Sequence, residues 1–398
     1  MGFHSDTSAM LNLLKHHTKT SVPDILTEEM LLGIGGGTGY GYFTFFYEKE
    51  DFSSLYLGTR ALWESSESFI SGTLKSLGFT PAVRQTKDRK AAFEKLDKQV
   101  SSGNPVIVAI NEDVFRKKNI SQSGYQIYGT VLDLDKTAGT VQIAIHQERP
   151  VEISIEELIL GRDHLATRKI INQSIFLPET DAPELSLQKI ASAAKAGIET
   201  GIKSAHNPRM SNFGITALDR WKTALTASNK TSFSKIFYNK SHLVNALYYT
   251  YYWITQNSDG NALRHAYSAF LQTAGDMVDE PLLKEASALY RESGRIWKTI
   301  AEDSLSHKEF VLLKEKFQEL KRYEQHEDFE LGTYRELNSD LIELKAAASE
   351  QFQMTDSDRR DLFGHLAELI SEVKEIETSA LANLQEALQS KRWEEYKS

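Results

Sequence analysis

His4 and Ser5 stand directly before a segment in which Ala9, Met10, Leu13, Leu14 and His17 recur at helical spacing. A helix starting there aims its free N–H groups and positive dipole end at the Ser5 hydroxyl, a setting that favours a nucleophile's anion or an oxyanion. Ser5 is therefore a candidate nucleophile with His4 beside it; the alternative is that Ser5 or Asp6 only caps the helix. A second concentration, Gly33, Gly35, Gly36, Gly37, Gly39 and Gly41, invites a phosphate-loop reading. Its spacing satisfies neither GxGxxG nor GxxxxGK[ST], and no lysine follows, so close backbone packing is the stronger explanation. The 11 histidines show no HExxH or comparable spacing, and His16 and His17 point to different sides of a helix, so no metal is expected. SxxK at Ser192, Ser232 and Ser371 lacks the companion motifs of serine–lysine hydrolases. The chain has no cysteine, which removes disulfides, thiolate metal sites and a cysteine nucleophile together.

Two further groups admit alternatives. Tyr248, Tyr249, Tyr251, Tyr252 and Trp253 either line a pocket or fill a core, and aromatic stripes on helices more often do the latter. Arg84, Lys87, Arg89, Lys90, Lys95 and Lys98, followed by Arg116, Lys117 and Lys118, form either a solvated face or a dock for an acidic protein.

The elements that must position these residues change character along the chain. At 398 residues, 40% hydrophobic and 25% charged, the chain has room for two domains. The first 178 residues read as α+β with an antiparallel sheet. Besides the opening helix, a helix is predicted around Leu62 to Leu77, a glycine-dense turn feeds an aromatic segment from Tyr40 to Tyr47, a buried strand is predicted over Pro105 to Ile110, and two strands are predicted around a turn at Lys136 to Gly139. From 183 onward the chain reads as all-α, with helices near 185–204, 214–227, 241–256, 261–275, 281–304, 307–325, 335–353 and 356–390. The proline-bearing stretch Leu177 to Pro183 is the expected linker. From Glu280 to Ser398 there are 26 acidic and 17 basic residues, which accounts for the whole net charge of −9 and argues against nucleic acid as a partner. No stretch reaches the roughly 18 apolar residues of a membrane span, and MGFHSDTSAM lacks a signal-peptide pattern, so a cytoplasmic chain with no membrane partner is expected.

GFHSDTSAMLNLLKHH, followed by LTEEMLLGIGGGTGYGYF, resembles the N-terminal domain of the butirosin biosynthesis protein H family, which opens on a His-Cys-x-(Ser/Thr)-Thr-Ala-Leu-x-Asn-Leu-Leu pattern and continues to a Gly-Leu-Gly-Gly-Gly segment. NPVIVAINEDVF and VEISIEELILGRD resemble later parts of that domain, and FGITALDRW and the stretch from GNALRHAYSAFL to about residue 304 resemble the helical domain that follows; the acidic helices beyond are outside the resemblance. The resemblance implies a papain-like or peptidase-C39-like fold. It also implies an acyltransferase of secondary metabolism that moves an acyl group from an acyl carrier protein thioester to an amine, with no cofactor. The family's cysteine, histidine and aspartate fall here on Ser5, Gln126 and His146, so the expected thiolate chemistry is substituted at each position. Gly36, Gly37, Tyr40 and Tyr125 are the expected substrate contacts. Three roles remain open: an acyltransferase with Ser5 as nucleophile and His146 or His4 as base, a non-covalent enzyme or binding module, and a pseudoenzyme that serves as a scaffold. The acidic C-terminal helices are expected to form either a homodimer surface or a lid.

Overall fold

The computed structural model describes residues 3–17, 21–49, 51–117, 120, 125–146, 150–165, 170–178, 183–256 and 258–396. In chain order its elements are α1 (Ser5–His16), α2 (Glu28–Ile34), β1 (Thr38–Tyr47), β2 (Phe52–Arg60), α3 (Ser66–Ser76), β3 (Ala82–Arg84), α4 (Arg89–Ser101), β4 (Val106–Asn111), α5 (Asp113–Arg116), β5 (Gln126–Asp135), β6 (Thr140–Ala144), β7 (Val151–Ser154), α6 (Ile155–Asp163) and β8 (Ser174–Phe176). Helices follow: α7 (Leu187–His206), α8 (Thr216–Thr226), α9 (Phe233–Ile236), α10 (Lys240–Thr255), α11 (Arg264–Met277), α12 (Pro281–Ser304), α13 (Val311–Glu324), α14 (Leu331–Gln351) and α15 (Asp356–Ala387). The α+β half and the helical half therefore stand as the sequence reads them. The helix expected from Leu62 begins at Ser66, because Leu62 sits at φ 54°, which breaks a right-handed helix.

Packing divides the chain into two compact units that interleave in sequence. One comprises Met1–Leu31, Ser66–Ile190 and Gln318–Ile342; the other comprises Leu32–Ser65, Ala191–Phe317 and Glu343–Ser398. The split expected from the sequence at 178 and 183 is a division along the chain, whereas these units each gather segments from both sides of it. Of the expected linker, residues 179–182 lie outside the described residues.

The first unit is built on an antiparallel sheet of order β3-β8-β4-β5-β6-β7. Val106, Val108 and Ile110 of β4, Val131 of β5, Val141 and Ile143 of β6 and Ile153 of β7 share one face, and Leu96 and Val100 of α4 and Leu158 of α6 close over them. The other face carries Ile107, Ala109, Tyr128 and Thr130. α1 lies there: the Thr130 hydroxyl donates to the Ala9 carbonyl at 2.8 Å. α6 starts on a capping box, with Ser154 and Glu157 each satisfying the other's backbone N–H. Gln318–Ile342 joins this unit by setting Phe329 and Leu331 against the sheet's core and Arg335 on the Val114 carbonyl and the Glu157 carboxylate, both at 2.5 Å.

In the second unit, the β1–β2 hairpin packs against α10, whose Trp253 Nε1 donates to the Leu55 carbonyl at 2.9 Å. Tyr251, Tyr252 and Trp253 are buried, so this part of the aromatic run is core. α12 starts with Pro281 in its first turn behind the Glu280 cap, and α15 starts on a capping box of Thr355 and Asp358.

Candidate functional site

The polar residues of the first turn of α1 are buried. Ser5 is 5% exposed, Asp6 2%, Thr7 0% and Ser8 2%. The cap is His4, not Ser5 or Asp6: His4 Nδ1 accepts from the Asp6 N–H at 3.3 Å, which leaves Ser5 as the first helical residue. Because Nδ1 spends its lone pair on the cap, it is not free to take a proton from Ser5. The Ser5 hydroxyl donates to Asp6 Oδ1 at 3.4 Å, a long contact with the adjacent carboxylate.

A second carboxylate closes over the same helix end. Thr7 Oγ1 and Ser8 Oγ donate to the two oxygens of Glu28, each at 2.9 Å, and the Phe3 N–H donates at 3.4 Å. Burial pushes the Glu28 carboxyl above its ordinary range, against those hydrogen bonds. The helix end that would favour a substrate oxyanion thus already has two of the chain's own carboxylates against it.

Gln126 lies on the sheet face that α1 covers. Gln126 alternates with Tyr128 and Thr130 along β5, and Thr130 is the residue bonded to α1. His146 follows Ile145 of the core just past the end of β6, within electrostatic reach of Asp6 on α1. Burial lowers the His146 imidazole to about 4; Glu324 opposes this, Lys321 and Arg116 add to it, and Asp6 opposes it. At neutral pH His146 is an uncharged and weak base. Glu324 is fixed by the Tyr334 hydroxyl at 2.5 Å, so part of the acidic C-terminal region contributes to the surroundings of His146.

The structure thus brings Gln126 to the sheet face that carries α1 with Ser5, and sets His146 within electrostatic reach of Asp6. Asp6 is the residue that sequence reading passed over, having weighed it only as a cap. It accepts from Ser5, and its charge acts on His146. Tyr125 is 45% exposed, with its carbonyl accepting from the Glu112 N–H at 2.8 Å.

Gly36, Gly37 and Tyr40, expected to touch substrate, are engaged in the core of the second unit. Gly37 has φ 73°, and a Cβ there would stand 2.1 Å from the Tyr267 ring; a Cβ on Gly36 would press on Ala61 and Thr200. Tyr40 is buried, with its hydroxyl donating to Glu377 at 2.5 Å. The glycine cluster is therefore a packing device.

The basic stretch is not uniformly free. Arg89 pairs with Asp163, Lys90 reaches Glu94 at 3.9 Å, and Arg116 and Lys117 hold Glu112 and Asp113 at 2.8 and 2.9 Å. Lys118 lies outside the described residues.

Residues 4–116 match the family model described as Butirosin biosynthesis protein H, N-terminal, so the resemblance carried by the opening residues holds over that segment. No curated protein matches the chain. Among the described residues, no helix is long and apolar enough to cross a membrane.

Proposed function

We propose that this chain serves secondary metabolism as an acyltransferase-like protein with a papain-like N-terminal architecture, holding an acyl carrier thioester and an amine without forming an acyl-enzyme. The observation that carries this reading is that the Ser5 hydroxyl donates to the adjacent Asp6 carboxylate and to no histidine among the described residues, with the His146 imidazole lowered to about 4 as a weak base besides. The burial of Ser5 and the commitment of His4 to the cap point the same way. In this role the amine attacks the thioester carbonyl directly, the new C–N bond replaces the C–S bond, and the thiol leaves with the proton the amine gives up. The protein's contribution is proximity.

A second reading, Ser5 as nucleophile with Asp6 accepting its proton, is favoured by the 3.4 Å contact between them. Intact-mass measurement after incubation with acyl carrier thioesters separates the two. The expected result is no adduct, with carrier binding and any amide formation the same in wild type and Ser5→Ala. An added acyl mass that vanishes in Ser5→Ala replaces the non-covalent reading with the covalent one.

A further inference from the structure

One cavity in the first unit belongs to none of this chemistry. It lies between α4 and the β3–β8–β4 end of the sheet and has a volume of about 270 Å³. β3 and β8 pair Arg84 with Ser174 and Ala82 with Phe176, and β8 meets β4 with Ser174 opposite Val108. Arg84, Ser174 and Phe176 therefore share the face on which α4 sits, and Ala92, Leu96 and Val106 complete an apolar floor.

The rim is cationic. Arg84, Lys95 and Lys98 all line the cavity, and none meets a carboxylate among the described residues. The acidic groups on and around α4 are taken elsewhere: Asp88 caps the helix, Glu94 reaches Lys90, Asp97 holds Lys136 at 2.8 Å, and Asp163 holds Arg89.

Two buried groups, one in the wall and one bonded to it from behind, lack what they need. Asn172, 4% exposed and lining the cavity, has an amide nitrogen without an acceptor among the described residues. Arg162, 3% exposed, donates to the Asn172 carbonyl at 3.0 Å and to Ser174 Oγ at 2.7 Å, with no carboxylate partner among the described residues. Burial alone pushes its guanidinium down to about 10. A buried cation lacking a counter-charge is costly, and an anion beside Ser174 would offset that cost. Because Ser174 accepts from Arg162, its own hydroxyl proton is available to the cavity.

The geometry points to a binding site for a small amphipathic anion: a phosphate or carboxylate headgroup held by Arg84, Lys95, Lys98, Ser174 and the Asn172 amide, with a short apolar chain against Leu96, Val106 and Phe176. This site is separate from Ser5 and stands or falls independently of the acyl-transfer reading.

Titration calorimetry of the full chain at low salt tests it, with hexyl phosphate and hexanoate as probes and inorganic phosphate and hexanol as controls. At least one amphiphile is expected to bind about tenfold tighter than either control, each tenfold corresponding to roughly 1.4 kcal/mol. Preference for hexyl phosphate assigns a phosphate ester, and preference for hexanoate a carboxylate. The double change Lys95→Glu and Lys98→Glu, at exposed positions that leave folding intact, is expected to weaken binding about tenfold or more. Asn172→Gly keeps the backbone at φ 55° accessible while deleting the amide, and should also weaken it. Amphiphiles that bind no better than hexanol, or affinity unchanged in the lysine double variant, overturn the assignment.

Discussion

The guanidinium of Arg264 and the carboxylate of Glu377 meet with no solvent exposure on either side, Nε to Oε1 at 3.0 Å and Nη2 to Oε2 at 3.2 Å. The rest of the guanidinium donates to the carbonyls of Thr59, Ala262 and Gly39. Glu377 also receives Tyr40, Ser293 and Trp297, and the Tyr40 and Trp297 rings flank the cation at 5.1 and 4.6 Å. The pair ties α11 and α15 to α12 and to the β1–β2 hairpin.

Removing one partner strands the other charge in the core. Glu377→Gln or Arg264→Met alone is expected to cost about 3–5 kcal/mol, and the double change to Met at both positions to cost less than the sum of the two single changes. Urea unfolding followed by circular dichroism measures this; single variants within about 1 kcal/mol of wild type would show that the pair is not a structural anchor.

His146 makes stability depend on pH. Its folded value, about 4, lies below the ordinary 6.5, so the unfolded chain binds more protons and stability rises with pH across that window. The contribution is complete above about 6.5 and lost as pH falls through about 4; allowing for partial exposure it amounts to about 1–3 kcal/mol. His146→Asn should flatten this part of the pH profile of the urea midpoint, and an unaltered profile would count against a neutral imidazole in the folded protein.

Two glycines with nearly the same φ separate backbone strain from crowding. Gly37, at 73°, faces Tyr267, whereas Gly139, at 74°, has open space around its Cβ position. Gly139→Ala is expected to lower stability by about 1–2 kcal/mol through the backbone alone. Gly37→Ala should lose at least about 1–3 kcal/mol more through overpacking, and equal losses in a thermal melt would contradict the packing role.

Restoring the family's residue types tests the substituted site directly. Ser5→Cys should react only sluggishly with an acyl carrier thioester, because the adjacent Asp6 carboxylate disfavours a thiolate at that position. Adding Gln126→His, on the sheet face that α1 covers, should raise acylation by about 10²–10⁴-fold, the usual worth of a positioned base. Intact mass against time reads both variants, and identical rates would argue that position 126 does not address position 5.

The helices beyond residue 183 were mostly legible because their pattern is set by neighbours in sequence, whereas α2, β2 and α4 were not anticipated. The 3.6-residue spacing and the Pro281 start gave α12 at its observed bounds, and the Lys136 to Gly139 turn falls between β5 and β6 as expected. The opening residues also carried the family resemblance, and the match over residues 4–116 agrees with it. The four-residue helix α9 had too short a pattern to be seen.

Local pattern could not say which distant residue each group meets. Nothing near Glu377 distinguishes it from the other acids of the C-terminal helices, yet it alone of these forms the counter-charge to Arg264, 113 positions away. The glycines were readable as packing residues, but that Gly37 makes room for Tyr267 depends on how α11 is placed. The same holds for His4 becoming the cap, for Glu28 closing over the first turn of α1, and for Arg162 lying behind Ser174 without a counter-charge. Residue type and spacing determined the helices, the strands and the candidate chemistry. Burial and long-range pairing decided which charges are compensated and how basic His146 can be, because both depend on atoms that only the tertiary fold brings together.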